Sequence, residues 1–294
     1  MRGLLIACVV FAAPASAAAW CQSANFQPPR SDTCLERCVT EADLPPNARL
    51  LYLAWSRPCL SWVLNARGSR DLASDEVRAV FERSFATWTS TTCPGGRTVP
   101  FDVRFDPRAG RCRTEEHLVG EGNANQMFFL DDWFERDYDP RVLALTTAWY
   151  GTRSGEIFDA DMALNEQQWE WATCPEDGCV DGRIDLENTV THELGHFFGI
   201  AHTPTSEDAT MWACAEDGET HKRSLEADDV DAFCSIYGPD ALRTECDHEP
   251  RGGFDARCES ARGCGCAAPG ASSSDVAGGA CFAVLVGVWR RRRR

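Results

Sequence analysis

The stretch "HELGHFFGIAH", residues 192–202, decides the fold because its spacing fits one kind of site. Histidines four residues apart share one face of a helix, so His192 and His196 can hold a single ion. Gly199 can adopt the left-handed conformation that ends a helix, after which the chain returns His202 as a third ligand. Three neutral imidazoles leave the fourth position of a tetrahedral zinc open, as a catalytic zinc requires. The stretch therefore predicts one catalytic zinc.

Glu193 follows the first histidine and can lean over the same site. A glutamate there would take a proton from water on the zinc, and the hydroxide would attack a carbonyl carbon before the proton passes to the leaving amine. We therefore expect Glu193 to be the general base of a peptide hydrolase. Two alternatives are open: histidines that merely lie in the core or on the surface, and a structural zinc, which would normally have four protein ligands.

The histidine pattern resembles the signature of metzincin metallopeptidases, H-E-x-x-H-x-x-G-x-x-H followed by a methionine turn. "ATMWA", residues 209–213, supplies that turn, with Met211 nine residues past His202. In the family this methionine lies under the metal as a packed floor and is not a ligand. The short distance to Met211 and the small Thr203 are most similar to the matrixin branch. The resemblance implies a zinc endopeptidase that acts on proteins or peptides.

Patterning around the motif predicts an α/β fold with a mixed twisted sheet, an active-site helix and a C-terminal helix. Residues 74–88 place their apolar side chains on one helical face, with Ser74 as a good N-cap. The active-site helix should begin near Asp185, another good N-cap. Matrixin catalytic domains have a similar order of elements. The other expected elements are strands at 59–65, 99–105, 125–130, 143–151 and 155–165, and a last helix at 226–238.

The matrixin resemblance also suggests where a substrate binds. It places Asp161 and Asn165 on the strand that pairs with an extended substrate, whereas the plainer alternative makes them ordinary turn and edge residues. Matrixins usually carry a second, structural zinc bound by several upstream histidines. Only His117 precedes His192 in this chain, so a second zinc site is not expected.

Five segments are predicted along the chain. They are a signal peptide (1–19), a Cys-containing lead-in (20–54), a catalytic domain (55–240), a Cys-rich linker (241–266) and a sorting or anchoring tail (267–294). At the start of the catalytic domain, "SRPC" faintly resembles the matrixin propeptide segment whose free thiol blocks the metal. Because the body has an even number of cysteines, we expect Cys59 to form a disulfide instead.

The two ends of the chain indicate export. Residues 1–19 have one arginine, an apolar run and a small-residue finish, which is typical of a secretory signal peptide. Residues 263–294 contain "GCGC", a small-residue spacer, an apolar run of 14 residues and five terminal arginines. This order resembles the myxobacterial C-terminal sorting signal. We expect a short apolar helix there, below the roughly 20 residues that span a membrane, and a secreted or cell-surface protein that loses this tail.

Twelve cysteines lie between Cys21 and Cys258. In an exported protein this even number predicts up to six disulfides. The spacing does not fix their connectivity. Plausible local pairs are Cys174–Cys179 and Cys246–Cys258.

The formal net charge of −16 argues against nucleic acid or an anionic membrane surface as a partner. Calcium is a second option as a cofactor, because Asp177, Asp181 and Asp185 recur every four residues among glycines. Their spacing does not fit an EF-hand, and an acidic loop that ends in a helix cap explains them as well.

The sequence as a whole predicts a secreted or surface-attached zinc endopeptidase. Two rival functions use the same fold. One is a zinc hydrolase of cell-wall peptides, and the other is an inactive surface-binding module. The intact Glu193 argues against the inactive module.

Overall fold

The computed structural model describes residues 20–26, 34–256, 281–286 and 289–290. The predicted signal peptide, Cys258 and the "GCGC" motif lie outside these residues and stay predictions. Within the described ranges, no helix combines the length and apolar character needed to cross a membrane.

These residues form three α-helices and fourteen strands, besides four single-turn 3-10 helices. The helices are α1 (Ser74–Thr89), α2 (Leu186–Phe197) and α3 (Ala227–Ile236). The strands are β1 (Cys21–Gln22), β2 (Cys59–Leu64), β3 (Thr92–Cys93), β4 (Arg97–Thr98), β5 (Asp102–Phe105), β6 (Asn125–Leu130), β7 (Ala144–Gly151), β8 (Ile157–Asn165), β9 (Trp171–Ala172), β10 (Ile184–Asp185), β11 (Ile200–Ala201), β12 (Cys214–Ala215), β13 (Cys281–Val286) and β14 (Trp289–Arg290).

A six-stranded mixed sheet forms the frame of the molecule, in the order β13-β7-β8-β6-β2-β5. The strands from β8 to β5 run parallel to one another, while β7 is antiparallel to both β8 and β13. A tight turn joins β7 to β8 and so dictates antiparallel pairing, whereas the parallel pair β2 and β5 is connected through α1. The predicted α/β fold, with its mixed sheet, active-site helix and C-terminal helix, is confirmed.

An aromatic core holds α1 and α2 against the sheet. The inward face of α1 carries Phe81, Phe85 and Trp88, all buried, as the helical spacing predicts. Phe81 stacks on Trp62 of β2 with 5.2 Å between ring centroids. The Trp88 indole N–H donates to the backbone carbonyl of Thr191 in α2 at 2.8 Å. This packing fixes α2, the helix that carries the histidine motif, relative to the sheet.

Two local predictions differ from the structure. The N-cap of α1 is Ala73, whose carbonyl accepts the Val77 N–H at 2.9 Å, so Ser74 is already the first helical residue. The C-terminal apolar run contains no helix at Cys281–Val286, which form β13. Valine and phenylalanine favour strands, and the edge of β7 supplies the backbone partners that such a strand needs.

Five disulfides join described cysteines. The predicted Cys174–Cys179 bond is confirmed. The predicted Cys246–Cys258 bond is wrong, because Cys246 bonds to Cys59. The same bond excludes a metal-blocking thiol at Cys59. The remaining bonds are Cys21–Cys38, Cys34–Cys214 and Cys93–Cys234, and Cys112 is disulfide-bonded as well.

The segments on either side of the predicted catalytic domain both pack onto it. In the lead-in, β1 pairs antiparallel with β11, which immediately precedes His202. The sequence predicts a linker at 241–266, yet residues 241–256 return to the sheet. There the Ser61 hydroxyl donates to the His248 carbonyl at 2.7 Å, beside the Cys59–Cys246 bond. This part of the predicted linker therefore belongs to the folded body.

Candidate metal centre and catalytic residues

The first two histidines of the motif lie on α2. Its N-cap is Asp185, as predicted, and the Asp185 carboxylate accepts a backbone N–H of the first turn at 2.7 Å. His192 and His196 lie one turn apart, and both are buried. After the helix, Gly199 has a φ of +81° and donates its N–H to the His196 carbonyl at 2.9 Å. This reversal brings the third histidine back to the first two.

The three imidazoles meet at their Nε2 atoms. Nε2 of His202 lies 3.2 Å from that of His192 and 3.1 Å from that of His196. Nitrogen ligands about 2.05 Å from a tetrahedral zinc ion are about 3.3 Å apart. The spacing and chemistry of these donors therefore fit a zinc ion.

Each imidazole is held from its other side through Nδ1. The first two rings lie against backbone carbonyl oxygens, at 2.5 Å for His192 and 2.7 Å for His196. The third, His202, lies 2.8 Å from Oε2 of Glu36. A proton on Nδ1 leaves the lone pair on Nε2, the atom that faces the other rings. Burial, followed by the neighbouring imidazoles, lowers the pKa of His192 well below its usual value and so favours the neutral, metal-binding form.

Glu193 is fully buried, and β7 holds its carboxylate. The Thr146 hydroxyl donates to Oε2 of Glu193 at 2.6 Å. The contact fixes the candidate base to β7, the strand that lies between β8 and β13 in the sheet. Nothing in the sequence distinguishes Thr146 from its polar neighbour, so sequence reasoning misses this contact.

Met211 packs against the stretch of α2 between the two histidines. Its side chain is buried, and a Cβ atom added to Gly195 would lie 2.1 Å from its sulfur. Asp229 of α3 holds the methionine turn, because its carboxylate accepts the Thr210 N–H at 2.8 Å and the Met211 N–H at 3.0 Å. The sequence indicates acids in the first turn of α3 only as partners of the helix dipole. It therefore misses the role of Asp229.

Glu36 orients the third histidine from the lead-in, and the sequence gives no signal of it. We expect Glu36→Ala to weaken zinc binding about 10- to 100-fold, the usual effect of removing a partner of a metal-binding histidine. Competition with a zinc chelator measures the affinity. Glu41→Ala is the matched control, because Glu41 is an exposed glutamate of the same segment. Equal zinc affinity in the two variants would show that Glu36 does not contribute to zinc binding.

The predicted substrate-edge residues lie elsewhere. β8 is an interior strand, with β6 on one side and β7 on the other. The Asp161 carboxylate is buried and accepts the Gln126 N–H at 2.8 Å, and the Asn165 amide donates to the Val142 carbonyl at 2.9 Å. The prediction for Asp161 and Asn165 is wrong, because the hairpin places β7 outside β8.

The three aspartates considered for calcium do not form a cluster. Asp185 caps α2 and forms an ion pair with Arg223 at 2.5 Å. Asp177 and Asp181 do not join it in any group of gathered ligand atoms in the described part of the chain. Calcium binding elsewhere stays a prediction.

Comparison with known proteins finds the matrixin family model matching residues 54–238, more than half of the chain. The chain is similar to three metalloendoproteinases of Arabidopsis thaliana. It is 26% identical to 1-MMP over 186 residues, 63% of this chain and 44% of that protein. It is 26% identical to 4-MMP over 167 residues (57% and 42%) and 25% identical to 5-MMP over 170 residues (56% and 40%).

The chain thus spans less than half the length of these plant relatives. The matched residues contain the three α-helices and all three histidines. They also contain every strand of the six-stranded sheet except β13, namely β2, β5, β6, β7 and β8. The chain belongs to the matrixin family.

Proposed function

We propose that this protein is a secreted or cell-surface zinc endopeptidase that hydrolyses peptide bonds of protein or peptide substrates. One observation carries the proposal: three buried imidazoles turn their Nε2 atoms toward one another at 3.1–3.2 Å. The carboxylate that follows the first imidazole in sequence is fixed by a hydroxyl. The similar proteins of Arabidopsis thaliana are metalloendoproteinases by name, which supports the same activity.

The residues divide the work of the reaction. His192, His196 and His202 would hold a zinc ion, which when bound supplies a Lewis acid that polarises the attacking water and the scissile carbonyl. Glu193 takes a proton from the attacking water and later delivers it to the leaving amine nitrogen. Thr146 keeps the Glu193 carboxylate oriented during both transfers.

Export is part of the proposal. Disulfides persist in oxidising compartments and are rare in the cytosol, and the bonds formed by the body cysteines are of that kind. Attachment to the cell surface through the C-terminal tail, with later removal of the tail, rests on the sorting-signal resemblance.

Zinc analysis of the purified protein tests the metal centre. We expect about one zinc per chain that dialysis against phenanthroline removes together with casein hydrolysis, since a single three-histidine site holds it. The His192→Ala/His196→Ala double variant should retain less than about a tenth of the zinc, because one remaining imidazole binds weakly. Retained zinc in that variant, or activity without zinc, would contradict the proposal. Hydrolysis of muropeptides but not of casein by the same preparation would favour a cell-wall substrate.

A further inference from the structure

The C-terminal segment lies on the outer edge of β7. β13 pairs antiparallel with β7 over six residues, from Cys281 opposite Gly151 to Val286 opposite Thr146. An extended peptide binds a protein in the same way when it adds a strand to an open sheet edge. All eight residues of β7 are buried, so the edge is covered. Without β13, the described residues leave one side of β7 without a neighbouring strand.

This edge is the one next to the candidate catalytic base. Thr146, which pairs with the last residue of β13, is the residue whose hydroxyl donates to Glu193. A peptide backbone on β7 therefore ends its pairing where the proposed proton transfer takes place.

Beyond β13, the chain contacts a second segment of the site. β14 pairs in parallel with β12, placing Trp289 opposite Cys214 and Arg290 opposite Ala215. β12 follows Met211 closely and is firmly held, because Cys214 is bonded to Cys34 and its carbonyl accepts a hydrogen bond from buried Lys222. The C-terminal segment is thus paired twice with the folded body, once with β7 and once with β12.

The acidic side chains beside β12 are opposite in charge to the arginines that end the sequence. A cavity of about 320 Å³ adjoins β12, and its lining includes five carboxylate side chains. In the sequence, Arg290 is the first of five consecutive arginines. Opposite charges on a peptide and its binding cleft favour both association and a single direction of binding. The acidic residues of the cavity are Glu207, Asp208, Glu216, Asp217 and Glu219.

We propose that the C-terminal strands β13 and β14 belong to a peptide held in cis in the substrate cleft, and that the cleft accepts extended apolar segments followed by basic residues. That this cleft binds a substrate rests on the proposed peptidase function. That the C-terminal segment occupies the cleft does not. An attached peptide competes at an effective concentration in the millimolar range, so even weak strand addition keeps the cleft filled.

A binding experiment tests the proposal without hydrolysis. The protein is the chain from residue 20 to residue 294, with the C-terminal tail retained and Glu193→Gln introduced, and the probe is a fluorescein-labelled peptide with the sequence of residues 282–294. In one version Val284→Pro/Leu285→Pro interrupts β13, since proline cannot donate to a ladder and alternate residues of an antiparallel strand face the partner. The matched control carries Val276→Pro/Ala277→Pro, in the same tail but before the strand.

We expect the chain with the interrupted strand to bind the peptide at least about 10-fold more tightly than the unmodified or control chain, since the cis competitor is lost. A peptide with serines in place of the five arginines should bind more weakly to the same chain. Replacing Arg290 to Arg294 by serine in the protein tests the tail without touching β13, and should also increase peptide binding.

Equal binding by all four chains, or no binding by any, would overturn the proposal. Thermal unfolding of each chain verifies that the variants are folded. If the peptide binds as expected but the chain with Glu193 restored cleaves no peptide, the proposed function fails while the occupation of the cleft stands.

Discussion

Glu193→Gln is expected to lower peptide cleavage by about 10⁴-fold while zinc stays bound. Loss of a general base alone costs roughly 10²–10⁴ in rate, and Glu193 is also expected to orient the water and pass the proton to the amine, which favours the upper end. Glutamine keeps the size of the side chain and can still accept the Thr146 hydrogen bond, so the local packing should survive. Position 193 is not among the three imidazoles that converge, so the metal should remain.

The measurement is hydrolysis of a quenched peptide by both proteins, with the zinc content determined in each. Glu187→Gln is the matched control, because Glu187 lies in the first turn of the same helix and pairs with Arg83 away from the histidines. The control should keep its activity. A Glu193→Gln protein that retains zinc and cleaves at the wild-type rate would exclude Glu193 as the base.

Gly199→Ala is expected to destabilise the fold by about 3 kcal/mol and to weaken zinc binding. The φ of +81° at Gly199 costs a residue with a Cβ roughly 1–2 kcal/mol. The added Cβ would also lie 2.3 Å from the backbone carbonyl oxygen of Leu53 in the lead-in. Leu53 is held in place because its N–H donates to the Ser23 carbonyl at 2.8 Å. The chain must shift to relieve this contact, and because Gly199 lies three residues before His202, we expect the shift to displace that ligand.

Urea unfolding of both proteins with their disulfides intact gives the free energy of unfolding. Competition with a zinc chelator gives the zinc affinity. Gly238→Ala is the matched control, because a Cβ there meets no heavy atom within 4 Å. Its unfolding free energy should change by less than about 1 kcal/mol. Equal stability of the two variants would show that the reversal after α2 tolerates a side chain.

The ligands could be predicted from the sequence because they belong to one short segment. Helix periodicity relates His192 to His196, and a glycine with a left-handed conformation supplies the return to the third ligand. The partners that orient these groups come from distant parts of the chain. Thr146 is 47 residues from Glu193, and Glu36 is 166 residues from His202. Such contacts depend on strand order and loop path, which local patterns do not encode.

The substrate edge shows the same limit. Alternating polar residues in 155–165 indicate a strand with one polar face, but periodicity does not say whether another strand lies outside it. The hairpin adds β7 on that side, which buries Asp161 and Asn165. The cysteines behave likewise: the bond between neighbours Cys174 and Cys179 could be predicted from spacing, whereas Cys59 and Cys246 are 187 residues apart.

The Cys34–Cys214 bond has a consequence for how this protein can mature. A protease that cuts the exposed chain around Arg49 would sever the lead-in from the body, yet the severed piece would remain attached through Cys214. Glu36 lies within that piece, two residues from Cys34, so it would stay against His202 after the cut. This molecule therefore cannot be activated by release of the lead-in unless a reductant breaks the Cys34–Cys214 bond. A nicked protein should migrate as one chain on a denaturing gel until it is reduced.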